Sequence, residues 1–443
     1  MSKSYIRARN RKFLLSQYRK VREKAGGQTT GAIYRALDEK GALDKADPDE
    51  YLIKESSPTT VIQNFIASSI YKKLMGFQGS EDEIVIGENH DLMIKSKMFP
   101  GYSGVNVGTL SEGAGKGFER VVAAKTFLGD SDLKNITNLG LIPSLEGEYF
   151  VGIDHECVSF ARLDDLLASY QRSLQIFEST RSLRTNNFAE ACEEIGSFSQ
   201  QHLDYHIQYI VDYLRVVFEQ LPEEKSRELI TRCIKYLYFV SEPNVNSELL
   251  KYLSGNSQSH RSMPVEDKSL LKTCLSGAKD IETALEAMEK VRYEFTIPYQ
   301  DVLLSLYQAA LEIRMRKGLA QMVELADLIR LDVAMRTDNF AVFGKIVVEH
   351  PDLLINDKRS SDTREYSNAT VLRHLFETLA RLDAEKKLRF VALLPKQVKE
   401  SPAFTECVNW WNETHGKNHQ IVIPAQADPE NKDNTHSNKS PRV

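Results

Sequence analysis

The sequence has few of the groupings that build metal clusters or disulfide frameworks. Its five cysteines are scattered through 443 residues, at Cys157, Cys192, Cys233, Cys274 and Cys407. No Cys-x-x-Cys pair or histidine cluster accompanies them, and zinc sites and disulfide frameworks both depend on such groupings. We therefore predict neither, and a reducing compartment fits the composition best.

Long apolar runs and an excess of basic charge are also missing. No run approaches the roughly 18 apolar residues of a membrane span, and the N-terminus has no apolar signal core. The formal net charge is −5, which argues against nucleic-acid binding by overall electrostatics. We therefore expect a cytosolic protein without a transmembrane segment, and secretion by a route without a cleaved N-terminal signal stays open.

The segment from Phe127 to Phe160 combines a polar loop with two short apolar strands. The strands are predicted at Asn138–Ile142 and Tyr149–Ile153, joined by a short turn into a hairpin. Side-chain oxygens stand at both ends of this hairpin, from Asp130, Asp132, Asn135, Asn138 and Asp154. Hard oxygen ligands of this kind suit Mg²⁺, although side-chain hydrogen bonds capping a polar turn are an equal alternative.

Upstream, a glycine-rich turn precedes a strand that carries a lysine. The turn runs through Gly26, Gly27, Gln28, Thr29, Thr30 and Gly31. Successive backbone amides in such a turn can bind phosphates. The strand 50–55 places Lys54 in mid-run, and a lysine on a buried strand needs an anionic partner. The alternative is an edge-strand lysine that discourages aggregation.

The order of these motifs resembles the phosphoryl-transfer core of atypical kinases. The matching segments are Gly129-Asp130-Ser131-Asp132, Asn138-Leu139-Gly140 and Ile153-Asp154. The nearest groups are the phosphatidylinositol-kinase-like and HipA-like kinases, and above all the kinase-like effectors that intracellular bacteria inject into host cells. The resemblance covers about residues 20–250 and implies binding of ATP with Mg²⁺ or Mn²⁺.

The resemblance also implies a role for individual residues. Asp132 would be the catalytic base, with Asp130 in reserve, and Asn138 and Asp154 would hold the metal. Lys54 would contact the nucleotide phosphates. The remaining nucleotide contacts would come from Gly26, Gly27, Thr29, Thr30 and Gly31, and, at the adenine, from the backbone of Met98 and Phe99.

Three departures from the family pattern stand out. The helix predicted after Ser57 has no acid to pair with Lys54; Gln63 is its nearest polar residue, and Glu55 lies beside the lysine on the strand. Asp132 precedes Asn138 by one residue more than usual. His155 follows Asp154 where a phenylalanine is usual and is expected to give no aromatic anchor.

We predict an α+β protein with a bilobal protein-kinase-like fold followed by an all-α domain. Residues 1–24 form a basic helix or arm, 25–103 a β-rich N-lobe and 104–255 a helical C-lobe. A separate helical domain follows at 263–423, and the polar tail 424–443 is expected to be disordered. The arm either holds an anionic membrane surface or inositol phosphate or packs as an ordinary helix.

The expected function is ATP- and Mg²⁺-dependent transfer of the γ-phosphoryl group to a protein hydroxyl, with a host inositol phosphate or phosphoinositide as regulator. The resemblance further implies a bacterial protein secreted into the host cell, acting in the host cytosol or on the cytosolic face of host membranes. A lipid or inositide kinase is the second candidate. A pseudokinase that binds nucleotide or phosphoinositide without turnover is the third.

Overall fold

The computed structural model describes residues 11–24, 30–105, 115–130, 132, 138–155, 185–237, 263–355, 369–380 and 382–415. Five described strands form an antiparallel sheet in the order β1-β2-β3-β5-β4, and three more form a second sheet in the order β6-β7-β8. The strands are Tyr18–Glu23 (β1), Gly31–Ala36 (β2), Glu50–Glu55 (β3), Asp82–Ile86 (β4), Leu92–Lys97 (β5), Ser103–Gly104 (β6), Leu139–Ser144 (β7) and Gly147–Gly152 (β8).

The rest of the described chain is mainly helical. The helices are Pro58–Met75 (α1), Phe118–Phe127 (α2), Thr185–Gly196 (α3), Gln200–Glu219 (α4), Glu223–Leu237 (α5), Val265–Ser276 (α6), Ile281–Val291 (α7), Tyr299–Arg336 (α8), Phe340–Glu349 (α9), Asp352–Ile355 (α10), Ala369–Ala380 (α11), Ala384–Leu393 (α12), Lys396–Lys399 (α13) and Pro402–His415 (α14). The α+β class predicted from the sequence is confirmed: a small antiparallel sheet region precedes a mostly helical remainder.

The first sheet has two buried faces, and strand alternation decides which residue lies on which face. Ile84 and Ile94 face α1 and belong to the main core, whereas Tyr51, Ile53 and Val85 form a smaller cluster on the opposite face. Lys54 alternates with Ile53 on β3 and is therefore on the side of α1. This places the lysine inside the molecule rather than at an edge.

Helix α1 packs against β4 and β5 and carries signals that fix both of its ends. Pro58 occupies the first turn, and the hydroxyl of Ser57 accepts from the amide of Thr60 at 3.2 Å. The N-cap residue of the helix is therefore Ser57. The helix ends at Gly76, whose φ of 62° favours glycine.

The N-terminal arm is not a helix over its second half. Residues Tyr18–Glu23 form the edge strand β1, paired with β2 from Tyr18↔Ala36 to Glu23↔Ala32. The basic residues Arg19, Lys20 and Arg22 therefore lie on an edge strand that is exposed beyond Tyr18, and not on one face of a helix. Residues 1–10 of the predicted arm lie outside the described residues.

The main core continues past the predicted domain boundary at 255–263. One cluster extends from Phe13 to Ile329, and a second cluster begins at Leu331 and includes Trp411. The change of core therefore falls near residue 330, within α8. This helix runs without a break through Gly318. Helices α3, α4 and α5 pack along it, and their packing offsets the modest helix penalty of glycine.

Candidate functional site

The lysine of β3 meets the aspartate that follows β8. Nζ of Lys54 lies 3.1 Å from Oδ1 of Asp154, across 100 residues of sequence. The lysine side chain is 4% exposed and the aspartate side chain 35% exposed. The sequence analysis assigned both residues to one nucleotide site, and the structure brings their side chains into contact. Their chemical roles stay predictions.

Asp154 leaves its strand with an uncommon backbone conformation. Its φ is 59°, in the left-handed region that residues other than glycine seldom occupy. Such strain persists where surrounding structure imposes it, and it clusters at functional sites. Just before it, the amide of Ile153 donates to the carbonyl of Asn138 at 3.0 Å. The β7–β8 ladder therefore brings Asn138 and Asp154 to the same end of the hairpin.

Asp132 and Asn138 are in direct contact although their spacing is one residue longer than the family pattern. The Asn138 amide nitrogen donates to Oδ2 of Asp132 at 2.8 Å. Since the nitrogen is engaged in this bond, the amide oxygen of Asn138 is the atom a cation would take. Asp132 is partly exposed. The pair thus offers a carboxylate and an amide oxygen beside the end of the hairpin that carries Asp154.

Asp130 has a different environment from Asp132. Its Oδ2 accepts from Nζ of Lys125 at 2.7 Å, and the two side chains are 0% and 1% exposed. Its Oδ1 accepts from the amide of Asp132 at 2.9 Å, and Lys125 also donates to the carbonyl of Ile153 at 3.3 Å. A sealed carboxylate that already holds a lysine is poorly placed to accept a substrate proton, so Asp130 fits the predicted role of base less well than the partly exposed Asp132.

The described end of the glycine-rich turn adjoins Lys54. Gly31 pairs directly with Lys54 across β2 and β3, and the amide of Glu55 donates to the carbonyl of Thr30 at 3.1 Å. A Cβ on Gly31 would lie 2.8 Å from the carbonyl oxygen of Ile53, so the close strand approach requires glycine here. The predicted phosphate contacts at Gly26, Gly27 and Thr29 lie outside the described residues.

Met98 and Phe99 follow β5 directly, at the exit from the first sheet. The amide of Met98 donates to the carbonyl of Glu50 at 3.0 Å, and the carbonyl of Phe99 accepts from Tyr102 at 3.3 Å. Both backbone groups are thus engaged within the protein. An adenine contact at this segment would have to use the remaining backbone groups.

Helix α1 supplies no carboxylate, as its sequence indicated, and Asp82 is a buried acid on the same side of the sheet that the sequence analysis did not single out. Gln63 is only half-buried and Glu55 is exposed. Asp82 at the start of β4 is 7% exposed. Burial raises the pKa of Asp82 to about 6, while the hydroxyls of Ser96 and Ser68 and the charge of Lys54 oppose that increase. The alternation of Asp82 with Ile84 and Ile86 was the signal that could have identified an inward carboxylate.

His155 is an aromatic anchor, contrary to the prediction. Its ring is fully buried and lies 4.6 Å from the ring of Tyr71 on α1. Burial, together with the charges of Lys125 and Lys54, places the pKa of His155 well below its usual value. The neutral ring can therefore fill an apolar position that a charged one could not. The hydroxyl of Tyr71 accepts from the amide of Gly152 at 3.1 Å, which fixes this contact to β8.

The described part of the basic arm is largely neutralised. Arg11 lies 2.8 Å from Glu83, and Lys12 lies 2.7 Å from Asp44. Cations that already have carboxylate partners attract a lipid headgroup or inositol phosphate less strongly. These two residues therefore give little support to the predicted anion site in the arm.

Neither a metal cluster nor a membrane-spanning helix is found among the described residues. In these ranges no group of three or more His, Cys, Asp or Glu side chains is arranged to hold a metal ion. The same ranges contain no helix that is both long and apolar enough to span a membrane. The pair Asn138 and Asp154 remains compatible with Mg²⁺, because that ion is commonly held by one or two protein oxygens plus substrate phosphates.

Comparison with known proteins identifies a structural neighbour. No protein-family model matches the chain, and no curated protein matches it. Among solved structures, the proinflammatory kinase CtkA of Helicobacter pylori is similar, with 13% sequence identity and a TM-score of 0.26 over 63% of this chain and 99% of the CtkA chain. A TM-score this low does not establish a common fold, so the function below is drawn from the site itself.

Proposed function

We propose that the protein is an ATP- and Mg²⁺-dependent phosphotransferase that transfers the γ-phosphoryl group to a protein hydroxyl. The observation that carries this proposal is the contact between Lys54 of the first sheet and Asp154 of the hairpin. A buried cation and a partly exposed carboxylate, brought together from two sheets, are what binding of a metal–triphosphate requires. Phosphoryl transfer needs little else than positioning and charge stabilisation.

Each residue of the site has a separate part in the proposal. Lys54 would hold the nonbridging oxygens of the nucleotide, and Asp154 and the amide oxygen of Asn138 would hold Mg²⁺. The bound ion would neutralise charge that develops on the transferred group. Asp132, partly exposed and already bonded to Asn138, would orient the acceptor hydroxyl and take its proton.

The proposal is tested by a radiolabelled ATP assay with protein, lipid and inositide acceptors, with and without host-cell extract. We expect Mg²⁺-dependent transfer by the wild-type protein and a loss of about 10³-fold or more in Asp154→Ala, as for other groups that stabilise charge in phosphoryl transfer. Asp91→Ala, at an exposed turn between β4 and β5, is the matched control and should keep full activity. Equal activity in wild type and Asp154→Ala would contradict the proposal.

A second candidate is a pseudokinase that binds nucleotide without turnover. It is supported by the ion pair itself, because Asp154 is engaged with Lys54, and by the lack of an acid on α1. Tight ATP binding by calorimetry, with no transfer to any acceptor, would favour this candidate over the first.

The same assay also tests which class of acceptor the protein uses and whether its activity needs a regulator. Transfer to lipid or inositide in the same assay would indicate a lipid kinase instead. Activity that appears only with an inositol phosphate would indicate an allosteric site. Transfer that requires host extract would support action inside a host cell, as expected for a secreted bacterial effector.

A further inference from the structure

Helices α4 and α8 meet along a ladder of polar side chains. Nε of Arg215 donates to Oδ1 of Asp301 at 2.9 Å, and the side-chain amide nitrogen of Gln308 donates to Oε1 of Gln208 at 3.0 Å. From the first contact to the second, the residue numbers fall on α4 and rise on α8 by the same amount. The two helices therefore run antiparallel, and their facing residues keep a constant register.

Continuing this register by one helical turn brings two carboxyl groups face to face. Residues four apart lie on the same face of a helix, so the contact between Gln208 and Gln308 places Asp204 of α4 opposite Glu312 of α8. Glu312 is 2% exposed, and its Oε1 accepts from the amide nitrogen of Gln308 at 2.9 Å. Asp204 is half-buried. An acid as deeply buried as Glu312 must be balanced by a cation or by a proton.

The charged groups around Glu312 favour the proton. They are Asp204 on α4 and Arg316, which is exposed, on α8. No charge from α2, α3 or α5, the other described helices of the main core that pack on α8, is among them. Asp204 is the more solvated acid and ionises first, so its charge then acts on Glu312. Burial, and then the charge of Asp204, raises the pKa of Glu312 from 4.5 to about 8, while Arg316 opposes the increase.

Helix α4 also connects α8 to the part of the protein that carries Lys54. Nε2 of His206 lies 2.8 Å from the carbonyl oxygen of Ser69 on α1, so this histidine faces α1. The hydroxyl of Tyr213 accepts from the amide of Ile84 on β4 at 2.9 Å. The contact between α4 and α8 therefore joins the longest described helix to α1 and to the first sheet.

We propose that Glu312 and Asp204 form a proton-dependent latch between α4 and α8, closed while they share one proton and loosened when both are ionised. The inference goes beyond the proposed function and does not rest on it. The folded protein keeps a proton on Glu312 that the unfolded chain releases above the ordinary pKa of 4.5. The stability that the latch supplies is therefore complete below that value and is lost as pH rises toward 8.

The first experiment unfolds the full chain with urea between about pH 6 and pH 9. We expect the ratio of folded to unfolded wild-type protein to fall by up to about tenfold per pH unit until Glu312 is ionised. Glu312→Gln resembles the protonated acid in shape but cannot ionise, so it should lack this part of the fall. Glu286→Gln, which removes an exposed carboxylate on α7, is the control and should follow the wild type. Parallel curves for the wild type and Glu312→Gln would overturn the latch.

The second experiment separates the latch from a purely structural role of Glu312. Asp204→Asn removes the charge that acts on Glu312, so the midpoint of the fall should move to lower pH. An unchanged midpoint would overturn the pairing of the two acids.

Hydrogen exchange, corrected for the intrinsic effect of pH, then measures the loosening itself. Amides of α4 and α8 should lose protection between about pH 6.5 and pH 8.5 in the wild type but keep it in Glu312→Gln. Equal protection of the wild-type helices at both pH values would show that the contact does not open.

Discussion

Two lysine–aspartate pairs lie close together in this protein and differ mainly in their exposure. Lys125 and Asp130 are 2.7 Å apart with side chains 1% and 0% exposed, whereas Lys54 and Asp154 are 3.1 Å apart with the aspartate 35% exposed. We call them the sealed pair and the open pair. The sealed pair cannot exchange its partner for a ligand without unfolding its surroundings, whereas the open pair can.

The sealed pair also supports the open one. Lys125 donates to the carbonyl of Ile153, the residue before Asp154, and His155 just after it packs on Tyr71. The left-handed backbone of Asp154 is thus held on both sides. The comparison teaches that a buried charge can serve function indirectly, by fixing the backbone from which an accessible charge projects.

The largest expected difference between the pairs is in stability. Asp130→Asn leaves Lys125 buried without its carboxylate, which should lower the free energy of unfolding by about 3–5 kcal/mol. Asp154→Asn, the matched variant, should lower it by less, because that carboxylate is 35% exposed and its charge is partly solvated. Urea unfolding of both variants measures this difference. Equal losses in the two variants would remove the distinction between sealed and open pairs.

The next prediction concerns Asp132 as the proposed catalytic base. Under the proposed function, Asp132→Asn should lower kcat by about 10²–10⁴-fold, the usual contribution of a general base. Asp130 cannot replace it, because it lies in the sealed pair. Transfer assays at saturating ATP measure the effect. Retention of more than a tenth of wild-type kcat would mean that another group takes the proton.

The third prediction follows from the buried acid near the open pair. Burial raises the pKa of Asp82 from 3.8 to about 6, so between those values the folded protein holds a proton that the unfolded chain has released. Stability should therefore fall as pH rises through this window, by about 3 kcal/mol at 1.36 kcal/mol per unit. Asp82→Asn should abolish this fall and be more stable than wild type at pH 7. If the free energy of unfolding of wild type and of Asp82→Asn changed in parallel with pH, this prediction would be contradicted.

The smallest expected effect is a steric one on the sealed pair. A Cβ on Gly152 would lie 2.6 Å from the hydroxyl of Tyr71 and 2.9 Å from Cε of Lys125. Gly152→Ala should therefore destabilise the fold by about 1–3 kcal/mol, as overpacking does, and disturb Asp154. Gly104→Ala, which meets no atom within 4 Å, is the control. Thermal unfolding of both variants measures the effect. A melting temperature of Gly152→Ala equal to that of Gly104→Ala would contradict the prediction.

Local sequence patterns predicted the secondary structure around the site well. The strand Glu50–Glu55 has the predicted bounds, and each hairpin strand differs from its predicted bounds by one residue at one end and two at the other. Strands and turns depend on apolar alternation and on turn-forming residues within a few positions of each other. They can therefore be predicted from the local sequence. The helix predicted for the N-terminal arm was wrong at Tyr18–Glu23, which form a strand. A basic, partly apolar segment at a sheet edge can resemble an amphipathic helix in sequence.

The sequence by itself determined the alternation that turns Lys54 inward and the turn that makes the hairpin, since both depend on neighbours along the chain. Only the tertiary structure decided which aspartate is sealed and which is open, that His155 packs on Tyr71, and that Asp82 shares a face with Lys54. Apart from Lys125 and Asp130, the residues in these relations stand tens of positions apart. Burial and charge balance between such residues arise from packing and have no local signal in the sequence.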